Sequence, residues 1–261
     1  MAQPYSTIEG LGSGPELWLR FKGASAGAIT NEGSGSSDTM SEHGPGTSAG
    51  LTYQYDTNPR GETNSGLKCT SGQILGVRIN NQSYLTNKGT WMTLFKSLNA
   101  GASQGRWMAG FWSGTDDEYV AIRTAAGEVE LHQQNSGTDD QFWTTSGAPD
   151  LLDTNPHSVA ITMASTPTIY VDGAVQTVVE TDDPQVPDNH WWDNFSEDHS
   201  IFTRGNVHGT DHSDWVMYEY LCWDEVLSAA NISTAHVILT TIDPFESKTV
   251  RRTNRRLFYP H

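Results

Sequence analysis

Apolar and polar residues alternate along most of this chain in short runs separated by turn-forming residues. In Ser158-Val-Ala-Ile-Thr-Met163 the residues Val159, Ile161 and Met163 fall on one face, and in Thr168-Ile-Tyr-Val-Asp172 so do Ile169 and Val171. A repeat of two is the signature of a half-buried strand. The runs that read as strands are 16–22, 51–55, 73–80, 90–97, 106–112, 119–123, 128–132, 141–145, 158–163, 168–171, 175–180, 200–203 and 215–223. Ser113-Gly-Thr-Asp-Asp117, Ala126-Gly127, Asn135-Ser-Gly137, Asp172-Gly173 and Gly205-Asn206 punctuate them. Many short strands divided by Gly/Asp turns predict a sandwich or barrel. Asp172-Gly173 predicts a tight hairpin, because a primed turn needs positive φ at its centre.

The stretch from Gly23 to Gly50 is dominated by Gly, Ser and Thr. It has too little apolar surface to pack alone and reads as a long surface loop, with at most a short strand at Ala28-Ile-Thr30. One helix is expected, from Ser228 as N-cap to about His236. The predicted fold is all-β: an antiparallel two-sheet jelly-roll sandwich with one short C-terminal helix and an extended basic tail. Its expected organisation is an N-terminal arm over 1–14, a lectin-like domain over 15–241 and a docking tail over 242–261.

The chain has 261 residues, which suits one large β-sandwich. Nine Trp, nine Tyr and eight Phe supply both core and potential sticky surface. Burying one large apolar side chain is worth about 1.5–3 kcal/mol, so Trp18, Trp91, Trp107, Trp215 and Trp223, all within strands, are read as core. Formal net charge is −16. That excludes sequence-independent nucleic-acid binding and an anionic membrane surface as partners. Residues 242–261 carry five Lys/Arg against two Asp/Glu, a local +3, so the rest of the chain carries −19. A basic tail on an acidic body is expected to dock, either on its own body or on a neighbour. Cys69 and Cys222 do not make a disulfide framework; they read as buried free thiols, with one bridge as the alternative. Met1 to Gly14 shows no apolar leader, so folding in a reducing cytoplasm is the expectation.

Three segments carry a family resemblance. Pro156-His-Ser-Val-Ala-Ile-Thr-Met163 followed by Thr168-Ile-Tyr-Val-Asp-Gly173 resembles the W-H-H-V-A-L-T … L-Y-V-D-G signature of laminin-G-like, concanavalin A-like jelly rolls. Tyr220-Leu-Cys-Trp-Asp-Glu-Val-Leu-Ser228 is similar to that family's closing strand. Thr90-Trp-Met-Thr-Leu-Phe-Lys96 resembles its central V-S-A-W-V-K strand. Asn155-Pro156 departs from the pattern, standing where a Trp usually precedes the His. The C-terminus, Asp243-Pro-Phe245 with Arg251-Arg-Thr-Asn-Arg-Arg-Leu-Phe-Tyr-Pro260, resembles the ending of laminin-G-like proteins encoded by tailed phages. The resemblance implies a non-enzymatic virion protein.

The chemistry-bearing residues fit that expectation. Jelly-roll glucanases hold paired carboxylates on one strand face as acid and nucleophile. The nearest run here is Glu128-Val-Glu130 with His132, read as the solvated face of an amphipathic strand. Glu219 is read as a paired sheet residue. No nucleophile elbow, phosphate loop or H-E-x-x-H pair is present. His208, Asp211 and His212, and Asp198 with His199, read as loop polar groups. The candidate sugar platform is Trp191 and Trp192 with Asp193 and Asn194, in a Pro-punctuated segment, and Trp143 is a further candidate. Calcium is the one cofactor considered, at Asp116, Asp117, Asp139 and Asp140. Arg251, Arg252, Arg255, Arg256, Phe258 and Tyr259 are the subunit-docking candidates, since Arg and aromatic residues are favoured at interfaces.

The expected function is that of a bacteriophage virion-surface protein, made in the host cytoplasm, that decorates or cements a capsid or lies on a tail. Its expected partners are other virion subunits, host-surface glycans and further copies of itself in a homo-oligomer. A free carbohydrate-binding lectin or tail-fibre adhesin is the alternative, and a glycoside hydrolase the third reading.

Overall fold

A computed structural model of the chain describes residues 7–21, 31–34, 39–43, 54–55, 57–63, 65–69, 76–80, 88–98, 106–112, 117–122, 127–135, 139–147, 149–164, 166–182, 198–201 and 215–241. They form two antiparallel sheets of eight strands each. The first sheet runs β13 (Ala174–Val175), β12 (Pro167–Val171), β11 (Pro156–Met163), β6 (Gly89–Ser97), β16 (Trp215–Trp223), β4 (Leu67–Cys69) and β3 (Gln54–Tyr55), with β1 (Leu17–Arg20) also on β16. The second runs β14 (Val178–Asp182), β10 (Asp139–Thr145), β9 (Val129–Asn135), β8 (Asp117–Ile122), β7 (Arg106–Trp112), β15 (Asp198–Ile201), β5 (Gly76–Asn80) and β2 (Thr39–His43).

One core lies between the sheets. Leu17, Leu19, Trp91, Phe95, Val159, Ile161, Met163, Ile169, Val171 and Trp215 enter it from the first sheet, and Met108, Val129, Leu131 and Trp143 from the second. The period-two reading of β11 and β12 therefore holds side chain by side chain. A second cluster covers the outer face of the first sheet: Trp18, Met92, Leu94, Ala160, Tyr170, Val216, Tyr218, Leu221 and Trp223. It is closed by Ile8 and Leu11 beside a single 3₁₀ turn (Ile8–Gly10) and by Ile232, Ala235 and Leu239 of helix α1 (Ala229–Thr240). Burial on both faces explains why all nine residues of β16 are buried. Ser228 caps α1 as expected, its hydroxyl accepting from Asn231 N–H at 3.2 Å. The helix runs to Thr240, past the predicted end at His236.

The sequence reading needs correction at several elements. The strand expected over 175–180 is two: β13 stays in the first sheet and β14 crosses to β10 of the second. The change of sheet occurs at Gln176 and Thr177, where Gln176 N–H bonds Ile169 O and Thr177 O accepts from Ser146 N–H. β2 arises inside the polar stretch that reads as loop, and pairs with β5. β4 is too short to show a period. Ala28-Ile-Thr30 lies outside the described residues.

Cys222 is buried and forms no disulfide among the described residues. Cys69 pairs in register with Trp215, seven residues along β16, so the two cysteines sit roughly 20 Å apart at ~3.3 Å per residue. The bridge considered as an alternative does not form.

Candidate functional site

Two polar clusters are built into the first sheet. In the first, a bulge in β16 is the cause. The register with β6 shifts between Met217 and Glu219. The extra residue puts Tyr218 and Glu219 on the same, outer side, while Met217 and Tyr220 both enter the inner core. Gly66, at φ 128°, passes so close to the bulge that a Cβ there would lie 2.6 Å from the Tyr218 ring. Glu219 is 0% exposed, which a carboxylate tolerates only when paired and hydrogen-bonded. Its Oε2 accepts from Trp18 Nε1 at 2.8 Å and its Oε1 from Arg60 Nη2 at 2.6 Å. Arg20 approaches the same carboxylate at 3.5 Å and lies over the Trp18 ring at 5.3 Å. Burial works against the Arg20 charge, and Glu219, Glu32 and Glu62 outweigh it. Asn58 anchors the loop that carries Arg60, donating to Glu62 Oε2 at 2.7 Å and Ser65 Oγ at 3.2 Å.

The second cluster joins the start of β11, the β12–β13 turn and α1. Asp172 (φ 50°) and Gly173 (φ 76°) make the primed turn that the Asp-Gly pair predicts. Asp172 Oδ2 lies 2.8 Å from His157 Nδ1, and its Oδ1 accepts from Ser158 N–H at 2.9 Å. Asp153 Oδ1 sits 2.9 Å from His157 Nε2. Ser158 Oγ lies 2.8 Å from His236 Nδ1 on α1. Burial works against a charge on His157, but the two carboxylates prevail and raise its pKa. Burial likewise acts against ionising Asp172 and Asp153, and the contacts with His157 lower both. His236 is lowered, first by burial and also by the His157 charge, against the pull of Asp172.

The second cluster contains serine, histidine and aspartate but does not make a nucleophile. Ser158 is 1% exposed beneath α1, both His157 nitrogens face carboxylates, and the serine contacts a different histidine. A reacting carbonyl has no access to Oγ there. The geometry fastens the hairpin and helix together.

The sequence-derived site residues fare unevenly. Trp143 is 3% exposed and belongs to the inner core, so its ring offers no platform for a sugar. Its neighbour across β9 is Leu131, and the alternation that buries one buries both. The reading of Glu130 and His132 as a solvated face is also corrected: they are 9% and 2% exposed, and His132 stacks on Phe142 with centroids 4.4 Å apart. Val129 and Leu131 do point to the core. Asp117 and Asp140 are register partners of the same residue, Gln134, one on each side of β9. That places them roughly 10 Å apart, two strand spacings, with Asp139 opposite Asn135. Asp116 lies outside the described residues, and among those described no three His, Cys, Asp or Glu side chains converge as a metal site. Trp191, Trp192, Asp193 and Asn194, and the docking candidates Arg251, Arg252, Arg255, Arg256, Phe258 and Tyr259, also lie outside the described residues.

Sequence reading missed Arg20, Arg60 and Asn58 altogether. A usable signal existed: Arg20 and Glu219 are charges set inside otherwise apolar strands, and a buried charge implies a partner. His236 gave none, since a histidine on a helix is ordinary.

No family model matches the chain, and no curated protein matches it. Solved structures do. The receptor binding domain of botulinum neurotoxin C/D mosaic serotype superposes with TM-score 0.60 at 12% identity, covering 85% of this chain and 50% of that one. The botulinum neurotoxin type G receptor binding domain gives 0.59 at 12%, covering 86% and 51%. The binding domain of Paraclostridial Mosquitocidal Protein 1 gives 0.59 at 10%, covering 88% and 52%. The chain spans about half the length of each. At these identities the likeness establishes a shared fold, the lectin-type, jelly-roll-like β-sandwich.

Proposed function

We propose that this chain is a non-enzymatic binding module carried on a bacteriophage virion, as a capsid decoration or cement protein or on the tail surface. It grips neighbouring virion subunits through residues 242–261 and host-surface glycans through the segment around Trp191 and Trp192. The observation that carries the binding reading is the use made of the polar residues in the sandwich. Glu219, His157 and Ser158 are buried and bonded to partners on other elements, so they hold the scaffold and leave recognition to loops and termini. The fold shared with domains named for receptor binding supports it. The phage assignment rests on the C-terminal Arg/aromatic resemblance and the charge contrast between tail and body.

The test compares the full chain with a 243–261 deletion for incorporation into particles, with circular dichroism of both. The deletion is expected to fold and to be lost from particles; normal incorporation removes the tail's role. The second reading, a free lectin or tail-fibre adhesin, is favoured by the receptor-binding names of the botulinum neurotoxin neighbours. Glycan-array binding that vanishes in a W191A/W192A double variant, without particle incorporation, selects it.

A further inference from the structure

The outer layer of the first sheet contains a contact whose direction is fixed by elimination. Ser158 Oγ is buried, and among the described residues its hydrogen-bond partner is His236 Nδ1 at 2.8 Å. A buried hydroxyl needs an acceptor for its proton. The Ser158 O–H therefore donates to Nδ1, and the neutral His236 ring carries its own proton on Nε2.

We propose that the Ser158–His236 contact is an acid-sensitive latch that holds α1 on the outer face of the sandwich and loosens when His236 takes up a proton. Protonation puts a hydrogen on Nδ1, which must then donate to Ser158 Oγ. The hydroxyl loses its acceptor while still covered by the helix, and an unsatisfied buried donor is costly. The Gly173 backbone packs so tightly on α1 that a Cβ there would lie 3.1 Å from both His236 Cβ and Ser233 Cα.

The charges around His236 come from each element packed on it. His157 of β11 presents a like charge, raised toward its protonated form by Asp153 and Asp172. Asp172 of the β12–β13 turn attracts a second cation but is already engaged with His157 and Ser158 N–H. The C-terminal end of α1 favours a cation through its own dipole. Burial and His157 prevail over these attractions, and the folded protein holds His236 below the ordinary histidine value. A histidine held low contributes stability that is present above its unfolded value, about 6.5, and is lost as pH falls through the lower, folded value. The helix is 12 residues long, so it depends on tertiary contacts to persist. It immediately precedes the basic segment 242–261, so the latch stands between the sandwich and that segment in the chain.

The test uses ring-nitrogen NMR shifts and amide-exchange protection factors on the full chain. At about pH 7.5, His236 is expected as the Nε2–H tautomer. Protection of amides from Ile232 to Leu239 should fall between about pH 7.5 and 5, by about tenfold for each unit that release raises the His236 pKa. In H236Q, whose amide oxygen still accepts from Ser158 but does not titrate, protection should show no loss on the acid side. An Nδ1–H tautomer in the wild type, or an equal acid loss of protection in H236Q, overturns the proposal. The tautomer reading decides it even where H236Q does not fold.

Discussion

His157 Nδ1 and Asp172 Oδ2 lie 2.8 Å apart, joining the start of one strand to the hairpin that closes the next. The pairing converts two residues of a sequence signature into a clamp. Its pH dependence follows from direction. His157 is raised, so its contribution is full below about 6.5 and is lost as pH rises through its folded value. Asp172 and Asp153 are lowered, so theirs is present above about 4 and lost as pH falls through their folded values. Melting temperature should therefore decline on the alkaline side, as pH rises above about 6.5. Asp172→Asn, which still tolerates the left-handed turn, should shrink that slope to the part Asp153 sustains at His157 Nε2; an unchanged slope would refute the clamp.

Gly173 should resist substitution. Alanine at φ 76° meets the left-handed penalty of about 1–2 kcal/mol, and its Cβ presses on α1. Gly173→Ala is expected to lower the unfolding free energy by at least that amount, read from denaturant titration, and to speed exchange in α1, as read by hydrogen exchange.

Thr154 is a β-branched residue at φ 70°, held there while Asp153 Oδ1 accepts from Asn155 N–H at 2.7 Å. Its side chain is exposed. Thr154→Asn keeps a polar surface residue and suits that backbone region. It should stabilise the protein by about 1 kcal/mol, measured as a shift in urea midpoint with unchanged slope.

Glu219 supports Trp18, Arg60 and Arg20 from no exposed surface. Removing one member of a buried ion pair typically costs about 3–5 kcal/mol. Glu219→Ala should fall in that range by equilibrium unfolding, since Arg60 and Arg20 keep their charges and Trp18 Nε1 loses its acceptor. Glu219→Gln should cost less, because its one amide oxygen can still serve Trp18 or Arg60. A loss below about 1 kcal/mol for the alanine variant would show the cluster to be solvated.

Much of the sandwich could be read from the chain because alternation is local. β7 and β16 have the predicted bounds, Arg106–Trp112 and Trp215–Trp223, and the Asp172-Gly173 turn follows from the φ that only such a pair supplies cheaply. The same logic fails where neighbours decide. The residues of β13 and β14 form one run in sequence, and only the availability of an edge on β10 draws the second half away. Trp143 reads equally as platform or core until its strand's facing is known.

By itself, then, the sequence determined the all-β class, the inward set of Val159, Ile161, Ile169 and Val171, the hairpin, and the helix start at Ser228, because each depends on backbone preference and spacing within a few residues. Tertiary structure alone decided that the first sheet is covered on both faces, that a bulge turns Glu219 toward Arg60, and that Ser158 meets His236. Those contacts join residues 159 and 78 positions apart, and no local pattern encodes which distant partner satisfies a buried polar group.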